Sequence, residues 1–205
     1  MNRAKGPIWH KKQKDKGIVP DRLRGLDKEA TWCTSHADGW IYGHGSFALT
    51  SHQHPVLGCF MWMPNSGNEA KRMWLETGQL KGSIDYVSMD SKADSYPLYR
   101  EFQRQRKITL VTSSRRKTNK SRNRIRMHQE MRAPKRKQIY KERSCRVEPM
   151  QGLVKDIFEL DHCWMRGNEN NRWLFAAMGL TVQMHQLDAF KENRSTWKIK
   201  TEVLG

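Results

Sequence analysis

Residues 84–113 read IDYVSMD, SKADS, YPLYREFQRQR, KITLVTS. The first piece is a short apolar run ending in an acid, Asp90. A polar loop follows, then a segment with helical spacing of Leu98, Tyr99 and Phe102, then a second β-rich run. Strand, loop, helix and strand in that order, after the two strands and helix upstream, predict a mixed α/β domain rather than a helical bundle or a sandwich.

Upstream, WIYGHGSFALT (40–50) predicts a strand carrying Trp40, Tyr42, Phe47 and Leu49. His52 to Pro55 predicts a turn, and PVLGCFMWMP (55–64), bounded by prolines, predicts a buried strand paired to it as a hairpin. Asn65 to Asn68 predicts a turn capping a helix over Glu69 to Leu80, with Met73, Trp74 and Leu80 on one face. Downstream, Leu153, Val154, Ile157 and Phe158 predict a helix from Pro149 to Leu160. A second, strongly apolar helix is expected from Asn171 to Leu187. Eight tryptophans and eleven methionines fall mostly within apolar runs, where core packing is expected of them.

Charge separates the remaining segments. The 205 residues hold 38 Lys and Arg against 21 Asp and Glu, a net charge of +17, and the mean hydropathy is −0.88. Such a surface attracts polyanions, nucleic acid first among them. Residues 1–30 hold nine Lys and Arg, including Lys11 and Lys12, with Gly and Pro breakers, and are expected to form an extended arm. Residues 115–143 hold thirteen, including Arg115, Arg116 and Lys117, against Glu130 and Glu142 alone, and are expected to be a solvated, partly disordered insertion. The expected organisation is thus a basic arm at 1–30, a domain over 31–190 containing that insertion, and a polar tail at 191–205. Cys33, Cys59, Cys145 and Cys163 occur singly, without zinc-site spacing, as reduced packing thiols of a cytoplasmic protein would. No stretch is long and apolar enough for a membrane span or a signal peptide.

An acid at the carboxyl end of a strand, as Asp90 is, suits metal binding, because ligands gather outside strand carboxyl ends. The alternative is a turn-capping aspartate; Asp94 looks like the better helix cap. Glu148 stands before an amphipathic helix, where an acid usually serves the helix dipole. Lys155 lies two helical turns on, so the two residues can share a face, as a carboxylate for a metal and a cation for phosphate would.

The block LDKEATWCTSHADGWIYGHGSF (26–47), with Asp27, Ala30, Trp32, Trp40 and Gly43, resembles a segment of insertion-sequence DDE transposases. VSMDSKADSYPLY (87–99) resembles their second-aspartate motif, and YKERSCRVEPMQGLVK (140–155) resembles their Tyr, Arg, Glu, Lys signature. The resemblance runs from Arg3 to about Leu187. It implies a ribonuclease-H-like fold and two magnesium ions held by three acids, two of them Asp90 and Glu148. Tyr140, Arg143 and Lys155 would lie on DNA. Four residues rather than the usual three separate Arg143 from Glu148, so Arg146 is an alternative for the arginine's role. The resemblance also implies a central first strand carrying the first aspartate, just before a stretch like RAKGPIWHKK, which here occupies residues 3–12 of a sequence that starts at Met1. Asp15, Asp21, Asp27 and Asp38 follow no strand-like run and are poor substitutes.

The expected function is therefore DNA cleavage and strand transfer by family, with a chain inactive by itself. The expected partners are DNA, another copy and a full-length transposase. A non-catalytic DNA-binding protein or inhibitor, and a basic RNA-binding protein, are the alternatives.

Overall fold

The computed structural model describes residues 2–3, 27–35, 39–51, 56–80, 84–114, 121–160, 165–200 and 203. The fold is mixed α/β, and it divides into two compact units. The first comprises residues 1–67 and 150–205, the second residues 68–149.

The first unit is organised by one long strand. β1 (Asn2–Arg3), β2 (Thr31–Ser35) and β4 (Leu57–Pro64) all pair antiparallel with β3 (Gly39–Thr50). β2 runs along its first half, with Trp32 opposite Tyr42, and β4 along its second, with Phe47 opposite Met61. The β3–β4 hairpin is the one expected, although its turn lies outside the described residues. Where β4 gives way to β2, Asn65 joins them. Its amide donates to the carbonyls of Ile41 at 3.1 Å and Thr31 at 3.3 Å. A polar side chain buried here is tolerated because its amide finds two backbone acceptors.

Two helices cover this sheet. α5 (Glu148–Ile157) buries Met150, Val154 and Ile157, and α6 (Asn168–Lys191) buries Phe175, Met178, Val182 and Ala189. With Leu57, Phe60, Leu160 and Ile199 most of these residues form one core. α6 approaches β4 closely because Gly179 has no side chain; a Cβ there would stand 2.9 Å from that of Phe60. Gln183 donates to the carbonyls of Leu57 and Gly58, and Gln186 accepts from the Leu57 N–H at 2.8 Å. The free edge of β4 is thereby satisfied by glutamines from its own chain. The segment expected to be a polar tail is not merely solvated: Ile199 is fully buried, and Trp197 and Val203 pack against the core.

In the second unit α1 (Glu69–Thr77) is capped by Asn68, whose side chain accepts from the Lys71 N–H at 3.0 Å. The helix ends before Leu80, which is exposed, so the apolar face is Met73 and Trp74 alone. β5 (Tyr86–Met89) and β6 (Thr109–Thr112) pair in parallel, connected through α2 (Tyr96–Arg106). Val87, Tyr99, Phe102, Leu110 and Val111 form the interior between strands and helix. Trp74 meets Phe102 edge to face at 4.9 Å, and the Arg106 guanidinium lies 3.7 Å over the Trp74 ring.

The basic insertion is a correction. Residues 115–120 lie outside the described residues, but α3 (Arg122–Met131) and α4 (Pro134–Arg146) are regular helices. Their start signals are ordinary ones: the Ser121 hydroxyl accepts from the Arg124 N–H, and Pro134 opens α4. Each keeps a narrow apolar anchor, Met127 in α3 and Ile139 in α4, and turns its cations outward. Core packing holds only in part for the tryptophans: Trp62 and Trp197 pack against the first unit's core and Trp74 against Phe102. None of those described is fully buried, and Trp40 and Trp173 are mostly exposed. Cys33 and Cys59 are half-buried and Cys145 is exposed.

Candidate functional site

Asp90 follows the last residue of β5, at the carboxyl edge of the parallel pair. Its Oδ1 accepts from the Lys92 N–H at 2.8 Å, so it caps the 3-10 turn Ser91–Ala93. Its carbonyl accepts from the Thr112 hydroxyl at 2.6 Å, which ties the ends of β5 and β6 together. Asp90 thus plays the turn-capping part weighed as its alternative, and Asp94 does not cap the helix that follows. The residue capping α2 is Ser95, without a side-chain hydrogen bond. Asp94 is instead buried, with Oδ1 2.8 Å from His128 Nε2 and Oδ2 2.8 Å from Arg124 Nη2. This ion cluster fastens α3 to the loop that begins at Asp90. A buried carboxylate is tolerable there because two donors meet it.

The signature residues come together where α4 meets α5. Arg143 Nη2 donates to Glu148 Oε1 at 2.9 Å, and the Arg143 guanidinium lies 5.5 Å over the Tyr140 ring. The five-residue step from Arg143 to Glu148 spans the break between two helices, and the pair still forms. The side chain of Arg146, the alternative for the arginine's role, lies outside the described residues. The Nε of Arg143 is buried and has no hydrogen-bond partner among the described residues. Glu148 stands at the first turn of α5, half exposed, and Lys155 lies two turns along the same helix. α4 packs against both β5 and β6. Nearby, Tyr99 donates to Glu130, and Arg136 reaches both. The Tyr99 hydrogen bond to Glu130, opposed by burial and aided by Arg136, holds that carboxyl below its ordinary value.

Cations cover the outside of α3 and α4: Arg122, Arg126, Arg132, Lys135, Lys137 and Lys141 are exposed. Lys11, Lys12, Arg115, Arg116 and Lys117 lie outside the described residues, and of Arg146 only the backbone is described. Among the described residues, no three His, Cys, Asp or Glu side chains gather as a group able to hold a metal ion. No described helix is long and apolar enough to cross a membrane.

No protein-family model, curated protein or solved structure matches the chain.

One arrangement escaped sequence reasoning. Asp27 is buried, and Oδ2 meets His44 Nε2 at 2.7 Å and the Gly167 N–H at 2.9 Å, while Oδ1 accepts from the Glu29 N–H at 3.0 Å. His44 Nδ1 accepts from Trp62 Nε1 at 3.0 Å, which leaves its proton on Nε2, facing Asp27. The Glu29 carboxylate accepts from the Asn168 N–H at 2.7 Å. Two acids therefore serve the first, otherwise unpaired amides of α6, where its dipole favours negative charge. Burial pushes the Asp27 carboxyl up, and hydrogen bonds from His44, Gly167 and Glu29 outweigh it, leaving it below its ordinary value. Asp27, considered above as a substitute catalytic acid, has both oxygens occupied by this structural work. Asp15, Asp21 and Asp38 lie outside the described residues.

Proposed function

We propose that the chain is a DNA-binding protein of the DDE transposase kind, with Asp90 and Glu148 as two of its acids. The observation that carries this reading is the meeting of Tyr140, Arg143 and Glu148 at the end of two helices whose outer faces are arginine and lysine. The Arg143 side chain is partly exposed beside the Tyr140 ring, and a guanidinium carries N–H donors beyond the one that meets Glu148, which suits a phosphodiester oxygen. The cations of α3 and α4 suit the flanking phosphates. A ribonuclease-H-like fold is the finer reading with which the mixed α/β fold is compatible.

Magnesium is the ion such a site would take. The described donors do not fit a two-ion centre by themselves. Asp90 spends one oxygen on a cap, Glu148 is paired with Arg143, and no third acid joins them among the described residues. The 205-residue chain by itself is therefore proposed to bind DNA without cutting it, and no metal-dependent step is derived.

The test is fluorescence anisotropy on duplex DNA and on single-stranded RNA of equal length, over a range of salt. The expected result is duplex binding whose logarithm falls steeply with log salt. Reversing Arg122, Arg126 and Lys137 to Glu together is expected to lower affinity at least about tenfold for every sequence. It should also flatten the salt slope by about 0.9 per lost phosphate contact. Unchanged affinity in that variant would remove α3 and α4 from the footprint, and a preference for RNA would replace DNA as the ligand. Magnesium-dependent cleavage by the purified chain would refute the non-cutting part.

A further inference from the structure

α6 has two apolar faces, and its own sheet uses only one. The inner face is Phe175, Met178, Val182 and Ala189. On the outer face Trp173, Leu180, Met184, Leu187 and Phe190 are 73%, 58%, 62%, 54% and 61% exposed. A stripe from Trp173 to Phe190 is about 26 Å long. Scattered exposed leucines need no explanation, but a continuous row of this length does.

The spacing says what kind of surface fits it. Trp173, Ala177, Leu180, Met184 and Leu187 follow at intervals of four, three, four and three. That is the 3.5-residue repeat by which one helix lies along another. We infer that the occupant is the α6 of a second copy, lying antiparallel about a two-fold axis through Leu180. Two features favour that occupant and that direction. First, sizes complement each other: Trp173 falls opposite Leu187, and small Ala177 falls beside long Met184, so neither a gap nor a clash arises. Second, charges do: exposed Glu169 at one end falls opposite exposed Lys191 at the other, twice per dimer. A parallel pair would oppose Glu169 to Glu169, Lys191 to Lys191 and Ala177 to Ala177. It would also align the two helix dipoles rather than oppose them. The proposal does not depend on the transposase reading, since it uses only the first unit.

Sedimentation equilibrium of the full chain tests it, over roughly 1–100 µM. A concentration-dependent dimer is expected. Leu180→Arg places two like charges on the axis and is expected to weaken the dimer at least about 100-fold, with the circular dichroism spectrum unchanged because the position is exposed. Glu169→Lys and Lys191→Glu, made singly, are each expected to weaken it several-fold, and the double exchange to restore it. A wild-type chain that stays monomeric throughout assigns the face to some other occupant and overturns the inference. A dimer indifferent to Leu180→Arg overturns it equally. Loss with Leu180→Arg but no rescue by the exchange overturns the antiparallel arrangement.

Discussion

Replacing Asp27 with Asn changes a single atom type and tests whether this residue is a clamp. The asparagine fits the same space but offers one acceptor where the carboxylate offers two. If its amide faces His44 and Gly167, donor meets donor at 2.7 and 2.9 Å; if it faces Glu29, the clash is at 3.0 Å. His44 cannot relieve this by moving its proton, because its Nδ1 must then face the Trp62 N–H. Each hydrogen bond to a charged group contributes about 1.5–3 kcal/mol, and one unmatched buried donor costs about 1–3 kcal/mol. A loss of about 3 kcal/mol is expected, read by urea unfolding followed through tryptophan fluorescence. The pH dependence supplies an independent check. Because the folded carboxyl lies below its ordinary value, its contribution is present above about pH 4. It is lost as pH falls through the folded value. The gap between wild type and variant should therefore be constant near neutrality and close only in acid. A loss under about 1 kcal/mol at pH 7, or a gap that widens on acidification, would refute the clamp.

Three further substitutions probe the packing. Asp94→Ala should cost about 3–5 kcal/mol in urea unfolding, because it strands the buried His128 and the Arg124 guanidinium; a cost below 1 kcal/mol would show the cluster to be idle. Gly179→Ala should destabilise by about 1–3 kcal/mol, since its Cβ would meet Phe60 at 2.9 Å. Gly152→Ala, in α5 with nothing within 4 Å, should instead stabilise by about 0.5–1 kcal/mol in the same measurement.

The elements legible in the sequence are those whose periodicity comes from burial on one side. β3, β4 and the β5–α2–β6 unit could be seen because Tyr42, Phe47, Phe60, Phe102 and Leu110 repeat at strand or helix spacing. β2 could not, because TWCTS is mostly polar and its strand state depends on pairing to β3. α3 and α4 were hidden by their own surface. Each spends so few apolar residues on the interior that the cations dominate the pattern, although Ser121 and Pro134 were helix starts in plain view. Asp90 and Glu148 were candidates by position and resemblance alone. The ion cluster around Asp94 was not legible, since Arg124 and His128 lie 30 and 34 residues from it. Asp27 and Gly167 are 140 residues apart, beyond any local pattern.

That last separation bears on how the chain comes into being. The second unit is continuous, so every partner it needs has been synthesised once residue 149 leaves the ribosome. The first unit is split, and Asp27, His44 and the edge of β4 must wait for α6, made more than a hundred residues later. Until then Leu57 and Phe60 have no helix to cover them, and β4 presents a bare edge to any neighbouring strand. The nascent chain is thus expected to be most prone to aggregation after its middle has folded and before its end arrives. Closing so long a loop makes that last step the slow one.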